Sequence, residues 1–469
     1  MKFFRVKKIE KLSRHKAHWL GVAVFLSLCL AGLLAGRYWL PRLPWVSTLQ
    51  STQGERVDAQ VEKYACLAVG CPSSGQSDLV EVIGNPAAHR YPECEKSYAR
   101  NPWDLAAFGG RLYVGLGDSS NEGPSANAGP VPVYVYDPDS GMFEREATFD
   151  EEQIDRFYVF GSELLVPGTD PRQSWHLGNL YRRDSEGRWQ KLRTLPRTIH
   201  ALALARHDGR LFAGVSVTEA VPAGVGKERY GSAVAVSDDG GKSWQLKPLG
   251  GWRIFDFLQV RGRLYAADIF PGPGVQRWIE KENRRDFHAP LYEYGAGGIF
   301  RRRTDLSAPS MFPDTPLAGQ RAAIIERAVP WNDAAAYLGA FVFGQGELPV
   351  RGRYIAEDLT PGHIVTRRVA LPPGAIAWDL IVDGGQLQVL FAVRQSKGLW
   401  RNAVWSSADG KHWVERAAFT AVSFARSFER LGEYFYFGLG SLSPPDHSAC
   451  TPSDQVSGTL LRLRADSRR

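Results

Sequence analysis

One phrase recurs through most of the chain and restricts what it can fold into. Trp103-Asp104-Leu105-Ala106-Ala107-Phe108 is followed by Gly109-Gly110-Arg111 and then Leu112-Tyr113-Val114-Gly115. The phrase returns as Phe255-Asp256-Phe257 before Gly262-Arg263-Leu264-Tyr265, and as Trp378-Asp379-Leu380 before Gly384-Gly385-Gln386-Leu387. Weaker copies are 157–166, 202–214 and 424–438. Each reads as a strand, a tight glycine turn and a second strand with period-two alternation. A third strand follows after a variable loop, as in 133–136, 179–182, 232–236, 290–294 and 403–406, and then an Asp/Gly turn and a fourth. The repeat length, roughly 45–55 residues, lies in the range of β-propeller blades. The expectation is an all-β propeller of four-stranded blades near 102–149, 153–196, 199–249, 252–305, 322–371, 376–419 and 422–465. Seven is the favoured count, with six or eight as alternatives.

Two of the Asp/Gly turns share more than their glycines. Ser237-Asp238-Asp239-Gly240-Gly241-Lys242-Ser243-Trp244 and Ser407-Ala408-Asp409-Gly410-Lys411-His412-Trp413 both follow an apolar strand-like run. Asp caps the amides that follow it, Gly takes positive φ, and the Trp can plug the turn into a neighbouring sheet. These stretches resemble the Asp-box, the bacterial neuraminidase repeat of β-propellers, which sits between the two outer strands of a blade. The resemblance implies a fold in the sialidase-like superfamily and says little about chemistry.

The ends of the chain differ from its middle. Of 57 Lys/Arg and 50 Asp/Glu, nine bases and one acid fall in the first 42 residues, leaving 48 against 49 in the body. The overall charge of +7 is therefore an N-terminal property, and a nucleic-acid partner loses its main support. Residues 1–18 form a basic tail, and 19–36 are free of charge, with Trp19 on one side and Tyr38-Trp39 on the other. About 18 apolar residues suit a membrane span. The basic excess before it predicts a cytoplasmic N-terminus and a periplasmic or extracellular body. A cleaved signal peptide, cut near Ala31–Ala35, is the alternative reading. Residues 37–101 read as a tether and a cysteine-containing cap, and 102–465 as the propeller.

In an oxidising compartment Cys66, Cys71, Cys94 and Cys450 can pair in three ways. Cys94 precedes the first blade and Cys450 lies in the last, and these blades are neighbours once a ring closes. A Cys94–Cys450 clasp with a local Cys66–Cys71 loop is the favoured pairing; Cys94 with Cys66 or Cys71 remains open. No Cys/His spacing suits a metal, and no cofactor-binding motif is present.

Four-stranded blades put the loops between second and third strands, and the links between blades, on one face. Those loops are long: 116–130, 217–230, 268–289, 394–401 and 441–458. They supply Arg277, Trp278 and Trp400 as candidate ligand-binding residues and Asp118 as a candidate acid. Aligning the copies on their glycine turns gives one ring position per blade near the start of the first strand: Asp104, Arg156, Ala203, Asp256, Arg327, Asp379 and Arg426. Its carboxylates and guanidiniums either bind a polar ligand or neutralise one another and close the channel. Sialidases hold a carboxylate with three arginines, so the resemblance implies Arg156, Arg327 and Arg426 as such a set. The Arg-Ile-Pro motif usual near the first of these is missing, since Arg253-Ile254-Phe255 does not match it. A glycosidase would need two carboxylates, with Asp104, Asp256, Asp379 and Asp118 as candidates. The favoured function is a membrane-anchored extracytoplasmic propeller binding a glycan or protein partner through its long-loop face. A carbohydrate-active enzyme is the alternative.

Overall fold

The first strands of the repeats lie side by side around an axis, and each carries its own antiparallel sheet outward. The computed structural model describes residues 45–49, 54–69, 80–92, 94–120, 127–219, 229–272, 290–317, 322–342, 350–395, 398–442 and 450–465. Its strands form seven sheets among the described residues, so the chain is a seven-bladed β-propeller. The innermost blade strands are Asp104–Phe108, Tyr158–Phe160, Thr198–His207, Asp256–Val260, Ala322–Trp331, Ala375–Asp383 and Ala425–Leu431. Val46–Arg469 form one compact unit, and of the other, Met1–Trp45, only Trp45 is described.

Alternation along the strands buries one apolar layer between each pair of blades. Phe149 of blade 1 stacks on Tyr181 of blade 2 with ring centroids 3.9 Å apart, and Trp189 meets Phe149 edge-on. Trp378 of blade 6 stacks on Phe424 at the entry to blade 7 in the same way, also at 3.9 Å. Such pairs contribute about 0.5–1.5 kcal/mol each beyond the area they bury.

The segment expected to be a tether and cap enters the propeller instead, which moves the boundary drawn at residue 101. Strand β1 (Trp45–Thr48) adds to the outer edge of blade 2, and β2 (Glu55–Val57) to that of blade 1. Strand β3 (Val80–Gly84) is the outermost strand of blade 7, antiparallel to Leu460–Arg464 with Val82 opposite Leu461. Helix α1 (Val61–Val69) buries Tyr64 and Ala68 against the core of blades 6 and 7. The physical reason is the edge: blade 7 has only three strands of its own, and an open edge is a site of unwanted pairing. These added strands are three to five residues long and partly polar, too short to register as alternation.

A Cys94–Cys450 disulfide fastens the same seam across 356 residues of sequence. Cys66 is disulfide-bonded as well, while Cys71 lies outside the described residues. No helix among the described residues is long and apolar enough to cross a membrane, and the expected span at 19–36 lies outside them.

The two Ser-x-Asp turns are built alike. In the first, Ser237 Oγ accepts from Gly241 N at 2.7 Å, and Asp239 Oδ1 accepts from the amides of Lys242 and Ser243. Against the effect of burial, the donors from Ser243, Ser237 and Lys242 hold Asp239 down to about 2. In the second, Ser407 accepts from Gly410 N, and Asp409 from Lys411 and His412. Gly241 and Gly410 take φ of 92° and 69°, which turns a carbonyl outward. Each carbonyl receives a donor from the preceding blade: Thr194 Oγ1 reaches Gly241 O at 2.6 Å, and Arg367 Nη1 reaches Gly410 O at 2.7 Å. Both turns therefore staple one blade to the one before it.

Candidate functional site

Packing seven innermost strands around an axis crowds their side chains, and the chain answers with a repeated irregularity. In blades 3, 5, 6 and 7 the pairing of the innermost strand slips by one residue, at Leu202, Glu326, Trp378 and Arg426. In blades 1 and 4 the residue just before the strand, Trp103 or Phe255, donates its N–H to the carbonyl opposite the next residue. A bulge of this kind re-aims one side chain out of the alternation. With Asp155 of blade 2, these seven residues all line one cavity of about 550 Å³ at the long-loop end of the channel. Every blade thus supplies at least one wall residue.

The expected ring of charges lies one position further along, beneath this cavity. Arg327 bridges Asp379 at 2.5 Å and Asp104, while Arg156 holds Asp256 at 2.5 Å and the Ala328 carbonyl at 2.7 Å. Each carboxylate also accepts an amide from the following blade: Asp104 from Phe157, Asp256 from Ala328, and Asp379 from Phe428. Burial raises the Asp379 carboxyl to about 6 against the pull of Arg327, and raises Asp256 against that of Arg156. All three carboxylates are therefore engaged in closing the channel and joining blades. Arg426 leaves the ring: it is the bulged residue of blade 7, and Ser427 takes the paired position opposite Gly438. The turn of blade 7 is Gly432-Glu433, with Leu431 opposite Tyr434, so the position seven before the second strand is Ser427 and the alignment that gives Arg426 is one residue out.

The other candidates separate in the same way. Asp118 is fully buried, and its Oδ1 accepts from Ser120 N, organising the start of its loop. Trp400 opens the strand Trp400–Ser407, is 4% exposed and packs edge-on against Phe424, so it belongs to the core rather than to a ligand-facing loop. The strand begins three residues before the expected 403–406. Arg277 and Trp278 lie outside the described residues.

What the cavity presents is a set of guanidiniums beside a few acids. Arg156 and Arg327 form part of its floor, committed to the ion pairs above. Arg351 is paired with Glu326 at 2.5 Å and lies over the Trp378 ring at 4.5 Å. Arg426 lies 3.7 Å over the Trp103 ring and makes no hydrogen bond or ion pair among the described residues. Burial, with the charge of Arg351, lowers it to about 10. Among the described residues Arg253 likewise has no ion-pair partner, and its buried Nε has no hydrogen-bond acceptor. On its wall, His200 Nδ1 is 2.9 Å from the Thr169 carbonyl and 3.5 Å from Asp170, which leaves Nε2 for the cavity. Burial and the charge of Arg253 lower His200 to about 4, so the ring is neutral at ordinary pH. Burial raises Asp170 to about 6 against Arg253, with a further push from Asp155. Asp155 itself is raised by burial against its hydrogen bond from Gln153. The sequence reading missed Trp103, Asp155, Asp170, His200, Arg253, Glu326, Arg351 and Trp378 as cavity residues. The position immediately before each ring residue is the signal that could have found Trp103, Asp155, Glu326 and Trp378; Asp170, His200, Arg253 and Arg351 carry no such periodic signal.

No protein-family model matches the chain, and no curated protein matches it in sequence. Solved structures do resemble it in fold. The Pan2 WD40 domain of Neurospora crassa is 9% identical, with 85% of this chain and 98% of that one covered and a TM-score of 0.44. The α-L-arabinanase of Penicillium chrysogenum complexed with arabinobiose is 10% identical, covering 84% and 100%, with a TM-score of 0.40. A chain of the mitotic checkpoint complex is 13% identical, covering 85% and 97%, with a TM-score of 0.39.

Proposed function

We propose that this chain is a membrane-anchored extracytoplasmic propeller that binds a polar glycan bearing an acidic group in the mouth of its channel. One observation carries the reading: a cavity walled by all seven blades in which Arg253 and Arg426 stay without a carboxylate partner among the described residues. Unpaired buried guanidinium is costly unless a ligand anion completes it. Ser119, Ser120, Thr169, His200 and Asp170 add the neutral and acidic groups that sugar hydroxyls use. The anchoring half of the proposal rests on the uncharged run at 19–36 and the basic residues before it. The likeness of the two Ser-x-Asp turns to the Asp-box supports a sialidase-like superfamily for the fold.

Calorimetric titration with glucuronate and with glucose tests the binding reading. Glucuronate is expected to bind and glucose to bind at least tenfold more weakly, with Arg426→Gln removing the difference. Absence of binding to either sugar, or equal binding of both, refutes it. A glycosidase reading is favoured by one feature, the two partly buried carboxyls of Asp155 and Asp170 raised on one wall. It predicts that Asp170→Asn abolishes glycan cleavage while binding persists.

A further inference from the structure

A second cavity, of about 450 Å³, opens where the third strand of blade 5 begins and the chain links to blade 6. Its wall holds Arg351, Arg353 and Arg368 against a single carboxylate residue, Asp314. Arg353 is 2% exposed; its Nη2 donates to the Ala370 carbonyl at 3.0 Å, and its Nε and Nη1 have no hydrogen-bond partner among the described residues. It has no ion pair among the described residues, and its guanidinium lies over the Trp413 ring at 4.8 Å. Burial alone lowers it to about 9. Arg368 donates to the Asp314 carbonyl and has no ion pair among the described residues either. Arg351 stands in the wall of both cavities, with its guanidinium over Trp378 between them. Links between blades and loops between second and third strands share one face of a propeller, so both cavities open on the same side.

We propose that the two cavities are successive subsites for one extended ligand, an acidic oligosaccharide that runs outward from the channel mouth over Arg351 between blades 5 and 6. This deepens the reading above and rests on it. Arg253 and Arg426 receive one carboxylate, and Arg353 with Arg368 receive another further along. The spacing of cationic groups by polar and acidic ones suits a chain whose carboxylates are separated by hydroxyls. A nucleic acid would bring phosphates against Asp155, Asp170 and Glu326 on the central wall, where the hydroxyls of a sugar chain can donate instead.

Titration of the full chain in mild detergent with mono-, di- and tetragalacturonate tests the subsites. The tetramer is expected to bind at least tenfold more tightly than the monomer. Arg368→Gln should collapse that ratio towards one, whereas Arg426→Gln should weaken monomer and tetramer by a similar factor and keep the ratio. Circular dichroism establishes that each variant is folded, and Arg368, at the rim, gives the variant least exposed to a folding defect. A wild-type ratio near one overturns the second subsite and leaves the channel-mouth reading standing. No binding of any length overturns that reading itself. Tighter binding of an oligonucleotide of matched charge than of tetragalacturonate overturns the choice of ligand.

Discussion

Replacing Arg327 by Met removes the one cation that serves two buried acids. Asp104 and Asp379 are 1% and 0% exposed, and Arg327 donates to both. Each acid keeps a backbone donor, from Phe157 and from Phe428, so neither is left bare. Removing one partner of a buried ion pair costs about 3–5 kcal/mol, and that loss is expected at pH 8 in urea unfolding followed by tryptophan fluorescence. The pH dependence follows from the direction of the shift. Burial already holds Asp379 at about 6, above its ordinary value, and losing Arg327 raises it further. An acid whose folded pKa is raised binds its proton in the folded state first, so its contribution is favourable at low pH and is lost as pH rises through the folded value. The deficit of Arg327→Met should therefore shrink by at least about 1.4 kcal/mol, one pKa unit, between pH 8 and pH 5. Adding Asp104→Asn and Asp379→Asn should restore at least half of the loss at pH 8. A deficit below about 1 kcal/mol at pH 8, or one that is equal at both pH values, refutes the reasoning that these charges serve the fold.

Three further outcomes are expected. Cys94→Ser should lower stability by up to about 5 kcal/mol in the chain-entropy model, less if β3 already holds the ring shut; thermal unfolding measures it, and non-reducing peptide mapping that joins Cys94 to another cysteine sinks the clasp. Trp400→Ala should cost about 3–5 kcal/mol with glucuronate affinity intact in the surviving folded fraction; a selective loss of binding without destabilisation would return Trp400 to the site. Because Asp170 is raised to about 6 while His200 stays neutral down to about 4, an anionic sugar should bind more tightly as pH falls from 7 to 5. Asp170→Asn should flatten that profile, and an unchanged slope would remove Asp170 from the cavity's electrostatics.

Much of the fold was legible because it repeats. The glycine-turn phrase and its alternation needed no knowledge of neighbours to give strands, and six copies with a weaker repeat near 322–371 made seven the favoured count. The Ser-x-Asp turns were legible for the same reason, since their hydrogen bonds run between residues at most four apart. The clasp between Cys94 and Cys450 was legible as one of a few pairings, once a closed ring made the first and last blades neighbours. Trp400 was misread because the end of a loop and the start of a buried strand share the same residue types.

The sequence by itself determined the periodic part of this protein: strand, turn, strand, and the position of a charged residue near the start of most innermost strands. Only the tertiary structure decided which way those residues point. A one-residue bulge leaves composition and period untouched, yet it sends Trp378 and Arg426 into the cavity and leaves Asp379 and Ser427 in the ladder. It also decided that Val80–Gly84 completes blade 7, because the partner of that strand lies at the opposite end of the chain. Local preference fixes strands through neighbouring residues, whereas ring closure and side-chain direction depend on contacts between blades far apart in sequence.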